Sequence, residues 1–71
     1  MNLHQIRKRL RNGFRPFTLT LSSGERIDVR QPGSIAVGRN VVVVLGKRDL
    51  FRVIDGLEVE SLHELPAARR N

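Results

Sequence analysis

Seven side chains hold the chemistry this sequence offers: Arg7, Lys8, Arg9, Arg11 and Arg15 near its start, and Arg39 and Asn40 at its middle. Guanidinium and ammonium groups set this close together suit phosphate oxygens, and each such contact strengthens an affinity that weakens with salt. The first fifteen residues hold all five of the early cations and no carboxylate. Arg39 and Asn40 follow Gly38, so they fall in a turn, where an asparagine amide could read the edge of a base. The same residues also fit a solvated helix face and ordinary turn chemistry, and those readings stand beside the first.

Groups that could catalyse lack the partners catalysis needs. His4 and His63 lie near opposite ends and are too few for a metal cage, and there is no cysteine to supply thiolates. Asp28, Asp49 and Asp55 are separated by turns and show no paired-carboxylate spacing. Ser22 and Ser23 have no neighbouring base, and Gly24 opens no phosphate-cradling loop. The expectation is a binding module that is not an enzyme, with no catalytic residue, no metal, no cofactor and no small-molecule substrate.

The charge is unevenly spread. Thirteen Lys and Arg face seven Asp and Glu, for a net charge of +6, which favours polyanionic partners. Residues 50–65 reverse the balance, with Arg52 against Asp55, Glu58, Glu60 and Glu64. The longest apolar run is Val41 to Leu45, too short for a membrane span or the core of a secretion signal. A soluble, cytoplasmic protein without membrane contact is expected. Seventy-one residues make one domain near the lower size limit for a chain without disulfides or metals.

The elements that must position these residues follow from periodicity. Leu3, Ile6 and Leu10 recur at helical spacing, with Phe14 a further step along. Asn2 is the predicted N-cap and Asn12-Gly13 the stop. Phe17, Leu19 and Leu21 then alternate with Thr18 and Thr20 as a half-buried strand. Ser22 to Glu25 form a hairpin turn, and Ile27 and Val29 mark a second strand. After a break at Gln31 to Ser34, Ile35 and Val37 make a short extended piece. Val41 to Leu45 form a strand apolar on both faces, which should be central or covered by a partner. Gly46 to Asp49 turn the chain. Phe51 and Val53 mark the next strand, and Leu57, Val59 and Leu62 finish the sheet. Phe14, Phe17 and Phe51 are all expected in the core. The predicted fold class is mostly β: an N-terminal helix, then a five-stranded bent antiparallel meander forming a small barrel over residues 1–65, with a flexible basic tail at 66–71.

Three stretches resemble the Sm and Sm-like family, including its Hfq-like members. Leu19-Thr20-Leu21-Ser22-Ser23-Gly24 looks like the V-x-L-x-x-G stretch that closes the family's first hairpin. Arg39-Asn40-Val41-Val42-Val43 is similar to the M-N-L-x-L stretch, whose asparagine contacts a base. Ile54-Asp55-Gly56-Leu57-Glu58-Val59-Glu60-Ser61-Leu62 resembles the I-R-G-x-x-V-x-x-I stretch of the last two strands, with Asp55 where the family places arginine. The resemblance implies an Sm-like or SH3-like barrel, an RNA partner, and strand edges that pair between neighbours to build a ring. Phe14-Arg15-Pro16-Phe17 also resembles a segment of small bacterial proteins with a helix and a similar meander, which implies the fold and no activity.

Two functions are therefore expected from different classes. One is an Sm-like RNA-binding protein using Arg7, Lys8, Arg9, Arg11, Arg15, Arg39 and Asn40. The other is an SH3-like protein-interaction or self-assembly module. In either case a homo-oligomer through strand edges is expected, with Phe51–Ile54 and Leu57–Leu62 as the pairing strands. Glu58, Glu60 and Glu64 would then meet basic residues of a neighbour.

Overall fold

A computed structural model describes residues 3–65. Asn2, expected to cap the helix, and the tail at 66–71 lie outside the described residues. Helix α1 spans His4–Arg11. Leu3 stands at its N-cap, and the Leu3 carbonyl accepts from the Ile6 and Arg7 amides at 3.0 and 3.1 Å. The stop falls where the sequence placed it. The Asn12 amide donates to the Lys8 carbonyl at 3.0 Å, and Gly13 takes a φ of 76°, which a residue with a Cβ rarely adopts. Lys8, Arg9 and Arg11 occupy the last turn, where the helix dipole favours cations.

Six strands follow: β1 Phe17–Leu21, β2 Arg26–Val29, β3 Ile35–Val37, β4 Val41–Leu45, β5 Phe51–Asp55 and β6 Val59–Glu64. They form two antiparallel three-stranded sheets, ordered β2-β1-β6 and β3-β4-β5. The expected five-stranded meander becomes six strands because the short extended piece at Ile35 and Val37, beyond the expected break, is a paired strand of its own. Pro32, which has no amide hydrogen to donate, opens a 3-10 turn at Pro32–Ser34. The Ser34 amide and hydroxyl both donate to the Gln31 carbonyl there. Beyond that turn the chain enters the other sheet. The ladders do not join the two sheets into a closed barrel. The first and last strands meet all the same, because β1 pairs with β6.

Six side chains are fully buried between helix and sheets: Ile6, Phe17, Leu19, Val29, Val42 and Val59. Leu3 is buried with them, and Leu10 and Phe14 pack against them half-buried. The Phe14 and Phe17 rings lie 6.0 Å apart and tilted by 58°, a favourable aromatic pairing. Thr18, read as an outward residue, is buried at the centre of its sheet, and its hydroxyl donates to Asp28 Oδ1 at 2.8 Å.

The expectation that Phe51 lies in the core is overturned as well. Phe51 is 66% exposed and Val53 is 61% exposed, while Ile54 is the β5 residue that reaches the core. Side chains alternate along a strand, so a one-residue difference in phase exchanges the two faces. The hairpin Lys47–Asp49, with Arg48 at a φ of 59°, sets that phase and pairs Phe51 with Leu45 and Ile54 with Val42. The valine strand β4 is central, as expected. Val42 and Val44 face inward, while Val41 and Leu45 face out.

Backbone bonds extend two of the ladders: the Ser22 amide donates to the Glu58 carbonyl at 2.8 Å beyond β1–β6, and the Gly56 amide to the Asn40 carbonyl at 2.7 Å beyond β4–β5. Arg52 of β5 reaches across to Glu25 in the β1–β2 turn through two hydrogen bonds of 2.5 and 3.1 Å. No helix among the described residues is long and apolar enough to cross a membrane.

Candidate nucleic-acid interface

The five cations of the first fifteen residues divide between two sides of α1. Arg7 turns toward the β3–β4 turn, where its Nη2 donates to the Gly38 carbonyl at 2.6 Å from a partly buried position. Arg11 lies on the same side. Arg7, Leu10, Arg11 and Val37 line one groove of about 230 Å3. This tether sets α1 against the segment that carries Arg39 and Asn40, both exposed. Arg7 and Arg11 of the helix thus lie beside Val37 and Gly38, the residues that lead into Arg39 and Asn40.

On the other side of the helix one carboxylate, Glu64, offsets part of the positive charge of Lys8, Arg9 and Arg15. Arg15 Nε lies 2.8 Å from Glu64 Oε2, and Arg9 Nη1 lies 3.4 Å from Glu64 Oε1. The Arg9 contact is an ion pair by distance and makes no hydrogen bond, which leaves that buried nitrogen without one. Lys8 is exposed between them, along a groove with Gln5, Asn12 and Gly13. Glu64 thus meets basic residues of its own chain, where sequence reasoning gave it a neighbour's. That role could have been found by pairing the first strand with the last. Such pairing sets Glu64 opposite Phe17, two residues beyond Arg15.

The Asn40 carbonyl accepts from the Gly56 amide, so the Arg39-Asn40 turn also abuts the end of β5. Asp55 lies there, and its carboxylate accepts from the Leu57 amide at 2.9 Å, capping a 3-10 turn at Gly56–Glu58. That bond holds the one carboxylate nearest the turn in a local structural role. At the far end of β5 the Glu25 carboxyl lies below its ordinary range, first because Arg52 hydrogen-bonds it. The pair is exposed, so its loss as pH falls below that range, where the carboxyl protonates, removes little stability. Among the described residues no group of three or more His, Cys, Asp or Glu is placed to hold a metal ion.

Arg7 has a structural role that its neighbours lack. Replacing it with Met removes a charged donor from a partly buried carbonyl, and is expected to lower stability by about 1–3 kcal/mol. Arg11→Met, on an exposed side chain, is expected to change it by less than about 0.5 kcal/mol. Urea unfolding of the two variants checks the difference.

No family model matches this chain, and neither a curated protein nor a solved structure matches it.

Proposed function

We propose that the chain is a non-enzymatic RNA-binding module of Sm-like plan, with its binding surface where α1 meets the β3–β4 turn. The observation that supports this reading is the Arg7–Gly38 tether, which sets Arg7 and Arg11 beside the chain segment leading into the exposed Arg39 and Asn40. Lys8 extends that surface along the helix. Two of the stretches that resemble the Sm-like family, one containing Arg39-Asn40 and one containing Ile54-Asp55-Gly56, meet there through the Asn40–Gly56 hydrogen bond. In this reading Lys8, Arg11 and Arg39 contact phosphates, and Asn40 presents its amide to a base. Arg9 and Arg15, already paired with Glu64, contribute less.

Titration of labelled oligouridine and oligoadenosine at several salt concentrations tests the proposal. Binding is expected to weaken steeply with salt. Arg11→Gln and Arg39→Gln should each reduce the log–log slope by about 0.7. Arg15→Gln should reduce it by less. Absence of binding even at low salt rejects the RNA reading.

A second reading, an SH3-like module for protein interaction or self-assembly, is favoured by a different observation. The outer face of β3-β4-β5 is apolar, with Ala36, Val43 and Val53 forming one cross-strand row and Leu45 and Phe51 another. Exposed apolar area of this kind on a small protein marks a contact surface. β5 and β6 are each at the edge of their sheet, so both remain available for the expected pairing between copies. The expected second pairing strand, Leu57–Leu62, is shifted: β6 begins at Val59, and Leu57 lies in the turn before it.

A further inference from the structure

We infer that β5 pairs antiparallel with β5 of a second copy about a two-fold axis at Val53, giving a symmetric dimer with a continuous six-stranded sheet. This rests on the self-assembly reading and names its partner and register. The exposed apolar side chains are concentrated on and around this one strand: Leu50 is 69% exposed, Phe51 66%, Val53 61% and Leu57 89%. On the central strand β4 the outward residues are better covered, Val41 and Leu45 being 38% and 39% exposed. The apolar surface left open therefore follows the edge of the sheet, and pairing along that edge covers more of it than stacking face on face. Edge strands left open in this way usually carry charges on the exposed face that block association. Here two of the three outward residues, Phe51 and Val53, are apolar, the third, Asp55, is engaged by the Leu57 amide, and the charge on Arg52 is engaged by Glu25.

Sequence on either side of β5 fits a two-fold partner. Lys47 and Arg48, with Asp49, precede the strand and leave its hairpin net basic, while Asp55 ends the strand and Glu58 follows it. An antiparallel copy centred on Val53 sets the basic hairpin of one chain beside the acidic turn of the other, twice over by symmetry. The same register sets Leu50 opposite the second copy's Gly56, one residue from its Leu57, and Phe51 opposite its Asp55. A register shifted by several residues in either direction separates the basic hairpin from the acidic turn.

The test uses the full chain. Light scattering across the micromolar range is expected to give about 16 kDa, twice the 8.1 kDa chain. Val53→Arg places like charges against each other on the axis and is expected to return the mass to one chain. Its circular dichroism should remain that of the wild type, because the side chain is outside the core. The register is read independently with Val53→Cys, since the protein has no cysteine of its own. Opposed Cα atoms in an antiparallel pair lie about 4.5–5.5 Å apart, within the span a disulfide needs. Mild oxidation should link Val53→Cys chains into dimers much faster than Leu57→Cys chains, although Leu57 is the more exposed. A one-chain mass throughout overturns both the dimer and the self-assembly reading. A mass above two chains, a dimer unaffected by Val53→Arg, or equal oxidation rates at the two positions overturns the two-fold arrangement alone.

Discussion

Ile6→Asp is expected to unfold the domain, and Ile6→Ala to lower its stability by about 2–5 kcal/mol. Ile6 is fully buried, although it lies on a helix of only eight residues, too short to persist alone. The helix holds its shape because Leu3, Ile6 and Leu10 lie on the core, and the core needs them because so short a chain has few other apolar side chains to bury. Burying the three contributes roughly 5 kcal/mol as an upper figure. A domain of this length has a total stability on the order of 4–10 kcal/mol. Removing residues 1–12 is therefore expected to abolish cooperative unfolding. Thermal denaturation followed by circular dichroism checks all three changes, and an unchanged melting temperature in the truncated chain would contradict the packing described here.

Gly56→Ala is expected to be nearly as damaging, for a different reason. Gly56 is buried, and a Cβ there would lie 2.8 Å from the Asn40 carbonyl oxygen and 3.0 Å from Leu3 Cδ1. The first of these is backbone and cannot rotate away. The β3–β4 turn must shift, and the 2.7 Å hydrogen bond from the Gly56 amide to Asn40 is strained or lost. Crowding and the weakened bond together should lower stability on the order of 2–4 kcal/mol. Gly33→Ala provides the comparison. Nothing lies within 4 Å of its Cβ position and its φ is not positive, so the change should be neutral or slightly stabilising. Urea midpoints for the two variants test this directly. Equal midpoints would mean that Gly56 is not closely packed against Asn40 and Leu3. Because Asn40 and Arg39 lie in the displaced turn, Gly56→Ala should also weaken any RNA binding at low salt.

Sequence periodicity by itself determined the local elements. The 3–4 spacing of Leu3, Ile6 and Leu10 defined the helix and its buried stripe, and Asn12-Gly13 defined its end, because both are properties of neighbouring residues. Alternation at Phe17, Leu19 and Leu21 defined β1 in the same way, and glycine at positive φ marked the hairpin at Gly24. The basic cluster and the acidic stretch were legible as composition. What periodicity left open was which face of β5 points inward. Phe51, Val53 and Ile54 are all apolar, so pattern alone allows either phase, and the larger side chain was taken for core. Pairing with β4, fixed by the hairpin at Lys47–Asp49, decided for Ile54. Pro32 was visible as a break, but the departure of the chain into a second sheet depends on which strands are available to pair. The candidate site divided along the same line. Its cations could be named from the sequence, since charge is carried by residue type. Their allocation could not, because Gly38 lies thirty-one residues from Arg7 and Glu64 lies at the far end of the chain from Arg9 and Arg15. Folding alone brings those groups within bonding distance, and so tertiary structure decided that Arg7 holds the helix, that Arg9 and Arg15 meet Glu64, and that Arg11 and Arg39 are each exposed.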